Sequence, residues 1–131
     1  MKNKFPFLIV LILVSLAGFA QTVNKKSLCN KWYLVKYQHN WVDYSPEEKE
    51  QNDYLLLHYN MTYESVSEGE KTNGTWKFNK NHNYFILYDK NQHGLKFIVN
   101  QLSTDKMVFN IDIEELEGID IYYATKKNGS N

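Results

Sequence analysis

The stretch that decides the fold runs from Leu95 to Ile113. It reads Leu95-Lys96-Phe97-Ile98-Val99-Asn100-Gln101, then Leu102 and the polar Ser103-Thr104-Asp105, then Lys106-Met107-Val108-Phe109-Asn110-Ile111-Asp112-Ile113. Leu95, Phe97 and Val99 point one way, with Lys96 and Asn100 opposite; Met107, Phe109, Ile111 and Ile113 alternate with Lys106, Asn110 and Asp112. Side chains that flip at every residue belong to strands with one buried and one wet face. A three-residue polar turn between two such runs pairs them antiparallel.

The same pattern extends in both directions. Downstream, Ile119, Ile121 and Tyr123 alternate with Asp120 and Tyr122. Upstream, runs rich in Val, Ile, Tyr, Phe and Trp predict further strands. The full set is Lys31–Gln38, Tyr54–Asn60, Thr62–Ser67, Gly74–Phe78, Tyr84–Asp89, Leu95–Gln101, Met107–Ile113 and Ile119–Thr125. Their connections are short and polar or glycine-bearing, such as Glu68-Gly69 and Glu114 to Gly118. One is longer: Ser45-Pro46-Glu47-Glu48 combines an N-cap, an N1 proline and a capping-box Glu, predicting a short helical turn over Ser45–Gln51. The predicted fold is all-β, an eight-stranded antiparallel up-and-down barrel, because a meander of eight twisted strands closes to leave no unpaired edge. A seven-stranded sandwich is the competing architecture. The facing of Tyr54 to Tyr59, apolar on both sides, stays open at this level.

Composition narrows the function. The chain has 131 residues, no net charge, and lysine as its only strong cation. That is one globular domain without the basic face or arginine forks of a nucleic-acid binder. Cys29 is the single cysteine, so neither an internal disulfide nor a cysteine-based zinc site is expected. Lys2 and Lys4 precede an almost unbroken apolar run from Phe5 to Ala20, with small Gly18 and Ala20 before Gln21. This predicts a signal peptide over 1–20, cleaved after Ala20, and hence a periplasmic or secreted protein without a membrane span or lipid anchor. Residues 21–27 read as a linker, 28–127 as the barrel domain and 128–131 as a flexible end.

Three motifs carry a family likeness. Leu28-Cys29-Asn30-Lys31-Trp32 resembles the first-strand signature of lipocalins, with Asn30 where the family usually has Gly. Gly74-Thr75-Trp76-Lys77-Phe78 is similar to the mid-chain strand of small lipocalin-like proteins exported by Bacteroidetes-type bacteria. Leu102-Ser103-Thr104-Asp105-Lys106-Met107 resembles a late turn of that group. The resemblance implies a barrel closed near Trp32 and open at the other end, binding something apolar rather than catalysing a reaction. It also implies that Lys126 or Lys127 stands in for the late Arg that lipocalins pack over the first Trp.

No constellation for chemistry competes with this reading. His39, His82 and His93 sit at strand ends or turns, and His58 lies alone within its strand. The acidic runs Glu47-Glu48-Glu50 and Glu114-Glu115-Glu117 fall in predicted turns, where carboxylates stay solvated. No nucleophile elbow, phosphate loop or metal spacing appears, so no enzyme activity, cofactor or metal is expected. What remains is aromatic content, ten Tyr, seven Phe and three Trp. Trp76, Phe78, Phe97, Phe109 and Tyr123 are predicted to form an apolar wall for a small hydrophobic or amphipathic ligand, with Tyr63 its polar contact near the mouth. The alternative is a filled barrel that engages a protein or glycan through outer Tyr and Lys residues, among them Tyr88 and Tyr122, with Tyr33 and Tyr37 of open facing. Ligand identity and oligomeric state are not encoded in any motif.

Overall fold

The computed structural model describes residues 23–127, so the signal peptide expected over 1–20 and the flexible end expected over 128–131 lie outside the described residues. Nine strands form one antiparallel sheet: β1 (Lys31–His39), β2 (Val42–Tyr44), β3 (Tyr54–Leu57), β4 (Thr62–Ser67), β5 (Glu70–Asn79), β6 (Tyr84–Tyr88), β7 (Gly94–Leu102), β8 (Lys106–Ile111) and β9 (Ile119–Ala124). From β3 onward each strand pairs with its sequence neighbour, and β9 returns along β1 from Tyr33 to His39. β1 and β3 to β9 therefore close an eight-stranded up-and-down barrel.

β2 is an addition to the eight expected strands. Asn40 and Trp41 both take positive φ, 51° and 68°, the geometry of a type I′ turn, and fold Val42–Tyr44 back onto the last residues of β1. The β1–β3 seam is correspondingly short, only Lys31 to Tyr33. Beyond it the chain between β2 and β3 covers β1: Leu34 N donates to Asp53 O at 3.2 Å, and the Tyr37 hydroxyl donates to Glu50. The helix expected over Ser45–Gln51 is a single 3-10 turn, Glu48–Glu50. Glu47 rather than Ser45 caps it, with the Glu50 carboxylate reaching back to Glu47 N at 3.0 Å. Within the segment read as a linker, Lys25–Leu28 forms one helical turn, α1, closed by reciprocal Asn24–Ser27 bonds of 2.9 and 3.1 Å.

Two bulges set which side chains enter. In β1 the register slips between Leu34 and Lys36, so Trp32, Leu34 and Tyr37 share the inner face while Tyr33 and Lys36 turn out. A second slip lies between Val99 and Gln101 in β7. The ambiguous third strand resolves with Leu55 and Leu57 buried and Tyr54 outside. Leu55 and Leu57 join Trp32, Trp76, Phe85, Phe109 and Met107 in a single core.

One end of the barrel is shut. α1 drives Leu28 into the interior beside Trp32, whose Nε1 donates to Leu28 O at 2.9 Å. Trp76 Nε1 donates to His58 O, also at 2.9 Å. Both indoles are fully buried with their single donor satisfied, which is the condition for a Trp in a core. Lys127, expected over the Trp32 ring, donates to the Asn52 side chain.

Candidate functional site

The opposite end of the barrel holds a cavity of about 440 Å³, within the size range of small-molecule sites. Its existence follows from side-chain size. The inner faces of β4 and β5 carry Ser65, Ser67, Thr72 and Gly74, in register across the pair, where the facing strands carry Leu and Phe. Small residues on one wall leave volume that large ones on the other do not fill. The wall is two-faced in consequence: hydroxyls of Ser65, Ser67 and Thr72 on one side, Leu87, Leu95, Phe97 and Ile111 on the other.

Gly74 is fixed by this geometry. A Cβ there would collide with the Tyr88 carbonyl oxygen and stand 2.7 Å from Tyr63 Cε1. The bare backbone lets the Tyr63 ring lie across it. Beneath the cavity runs a belt of rings from five successive strands. Trp76 meets Phe85 edge-on at 6.2 Å, Phe85 stacks on Phe97 at 4.8 Å, Phe97 tilts against Phe109 at 5.1 Å, and Phe109 against Tyr123 at 5.0 Å. These are the offset and edge-to-face arrangements aromatic pairs prefer.

Of the six residues predicted to meet a ligand, Tyr63, Phe97 and Tyr123 line the cavity. Trp76 and Phe109 are buried beneath it as core, and half-buried Phe78 packs lower in the barrel, opposite Phe85. Tyr63 is 6% exposed, and its hydroxyl has no hydrogen-bond partner among the described residues. The Tyr123 hydroxyl is in the same position, although the ring is partly exposed. Because no fully buried side-chain polar atom among the described residues lacks a partner, both hydroxyls reach into open volume. Burial raises the Tyr63 pKa, with a smaller contribution from Asp89. Burial likewise holds Tyr123 well above the ordinary tyrosine range, and the nearby Asp53 and Glu50 charges add to it.

Those two acids are the residues that sequence reading missed. Asp53 continues the inward alternation of Leu55 and Leu57 by one step and is 5% exposed. One carboxylate oxygen accepts from Glu68 N at 2.8 Å. No cation pairs with it among the described residues, and burial raises its pKa. Glu50 accepts from Tyr37, whose own pKa burial and that bond push far up. The period-two signal could have been extended back to Asp53. Tyr37 could not have been placed, since its facing depends on the bulge at Val35. On the far rim Asp89 accepts from Asn91 N and His93 N, both at 2.9 Å, and these bonds help hold its pKa low.

The outer Tyr residues are mostly covered. Lys31 lies 4.2 Å from the Tyr54 ring centre, Lys36 4.5 Å from Tyr122 and Lys96 4.2 Å from Tyr84; Tyr59, with Lys25 at 3.9 Å, stays exposed. Trp41 differs, standing 93% exposed at the β1–β2 tip beside exposed Val42 and Tyr44. Cys29 is half-buried against the core, and burial raises its thiol pKa. Among the described residues no group of three or more His, Cys, Asp or Glu side chains converges as a metal site would require, and no helix is long and apolar enough to cross a membrane.

No protein-family model matches the sequence, and no curated protein matches it significantly. The fold is similar to the NMR structure of a protein from Bacteroides uniformis ATCC 8492, with a TM-score of 0.58 over 82% of this chain and 94% of that one. Sequence identity is 16%, so the likeness concerns the fold: an eight-stranded antiparallel barrel, consistent with the lipocalin-like architecture.

Proposed function

We propose that this chain is an exported, non-enzymatic carrier that holds one small amphipathic molecule in the cavity at the open end of its barrel. The observation that carries this reading is the cavity itself, with the unpartnered Tyr63 and Tyr123 hydroxyls directed into it. A filled barrel would have spent that volume on side chains, and two accessible phenol hydroxyls without a partner in the fold are available to bond a ligand. Leu87, Leu95, Phe97 and Ile111 supply the apolar contact, while the tyrosines and the β4–β5 hydroxyls orient the polar part.

Native mass spectrometry of the protein, exported by its own signal and purified without detergent, tests this. A reproducible added mass that disappears on denaturation supports the carrier reading. A bare chain that stays bare after incubation with a lipid extract removes it. The second reading, an interaction module, draws on the exposed Trp41, Val42 and Tyr44 hairpin and gains ground from that bare result.

A further inference from the structure

The proposed carrier reading leaves the ligand's head group open, and the charges around the cavity bear on it. No lysine lines the cavity; the ionisable lining residues besides tyrosine are Asp89 and His93. Asp53 and Glu50 stand beside this lining rather than in it: Asp53 precedes Tyr54 and accepts from Glu68 N, next to Ser67, and Glu50 accepts from Tyr37. Asp53 is the unusual one. It sits on the inner face two residues before Leu55, almost fully buried, with one oxygen held by Glu68 N and no cation paired with it among the described residues. Lys49 is engaged with Glu47 and Glu68, Lys71 with Glu64, and Lys127 with Asn52. A buried carboxylate without a counter-charge is unstable as an anion unless a cation is supplied.

We infer that the cavity selects a cationic amphiphile, a compact apolar body bearing one protonated amine. The apolar body lies on Phe97 and the leucines. The ammonium donates to the Tyr123 hydroxyl and faces Asp53 and Glu50, the acids beside that tyrosine. An ammonium has three donors, which a phenol oxygen and a carboxylate can accept together. The Tyr63 side chain, 6% exposed and with no hydroxyl partner among the described residues, lines the cavity and points to a ligand independently of the acids. Asp89, already engaged by two backbone N–H groups and facing His93 at 3.4 Å, contributes less. A carboxylate-headed ligand of the same shape meets like charge at the same place and is rejected.

The test is calorimetric titration of the full-length protein, exported and freed of bound material, with three probes of one shape: 4-phenylbutylamine, 4-phenylbutan-1-ol and 4-phenylbutyrate. The amine is expected to bind at least tenfold more tightly than the alcohol, and the carboxylate most weakly. Asp53→Asn should bring the amine down to the alcohol's affinity while leaving the alcohol unchanged, which also reports that the variant's cavity is intact. Glu50→Gln provides a second, separately folded check and should lower amine affinity by a smaller factor. Binding of the alcohol with no preference for the amine overturns the charge selection and leaves the carrier reading standing. Binding of none of the three overturns both. An amine preference that survives both variants also overturns the assignment, since the acids then do not create it.

Discussion

The two ends of this barrel are built from the same alternating strands and differ in what they do with their polar groups. At the closed end, Trp32 and Trp76 are completely buried and each places its one donor on a backbone carbonyl. At the open end, Tyr63 and Tyr123 leave their hydroxyls unpartnered, and Asp53 is buried without a cation. A group satisfied within the fold stabilises it, whereas an accessible group without a partner in the fold adds little to stability and stays free to bond something else. The difference separates an end whose polar groups are satisfied within the fold from the end to which we assign the proposed ligand.

The largest effect that would sharpen this contrast is at the closed end. Trp32→Ala or Trp76→Ala should cost about 3–5 kcal/mol, which is enough to unfold much of a domain this size. Urea unfolding measures it, and a loss below about 1 kcal/mol would mean the indoles do not anchor the barrel. Next comes Gly74→Ala, whose Cβ meets the Tyr88 carbonyl oxygen as well as the Tyr63 ring, so that β5 must shift from β6 at a cost of at least about 1–3 kcal/mol. A variant of unchanged stability would show that the Tyr63 ring does not rest on that backbone.

Asp53 gives a pH signature. Its folded pKa is raised, so between its ordinary value and the raised one the folded state binds the proton that the unfolded state has lost. The stability it contributes is therefore present at low pH and is lost as pH rises through that window. Asp53→Asn should remove this component, so the variant gains on the parent as pH rises from acid toward neutral, as read from melting temperatures. A constant offset across that range would sink the idea. The smallest effect belongs to Tyr63→Phe. Removing a hydroxyl that has no partner should change stability by less than about 0.5 kcal/mol, while weakening ligand binding. A large loss of stability would mean the hydroxyl is bonded within the fold, and the comparison between the two ends would fail.

Much of the architecture was legible because period-two alternation is a local signal. The strand from Thr62 to Ser67 matches its prediction end to end, and the inward set Phe97, Val99, Met107, Phe109 and Ile121 is buried as the pattern requires. The site was legible only in part. Tyr63, Phe97 and Tyr123 reach the cavity, whereas Trp76 and Phe109, on inner faces of neighbouring strands, lie below it. Alternation assigns a face but not a height along the barrel axis. Height follows from register, and register depends on bulges and on where each hairpin turns. The export segment and the absence of catalysis remain expectations from sequence.

What the sequence by itself determined, then, was the sheet: alternation, turn chemistry and short connections admit few arrangements of eight antiparallel strands. Only the tertiary structure decided that Val42–Tyr44 folds back on β1 as an added strand, that the bulge at Val35 turns Tyr37 inward, and that small residues on β4 and β5 oppose large ones across the barrel. It alone brought Asp53 beside Tyr123. Contacts of this kind join residues far apart in the chain, and a cavity is a difference between volumes on opposite walls, which no local stretch of sequence contains.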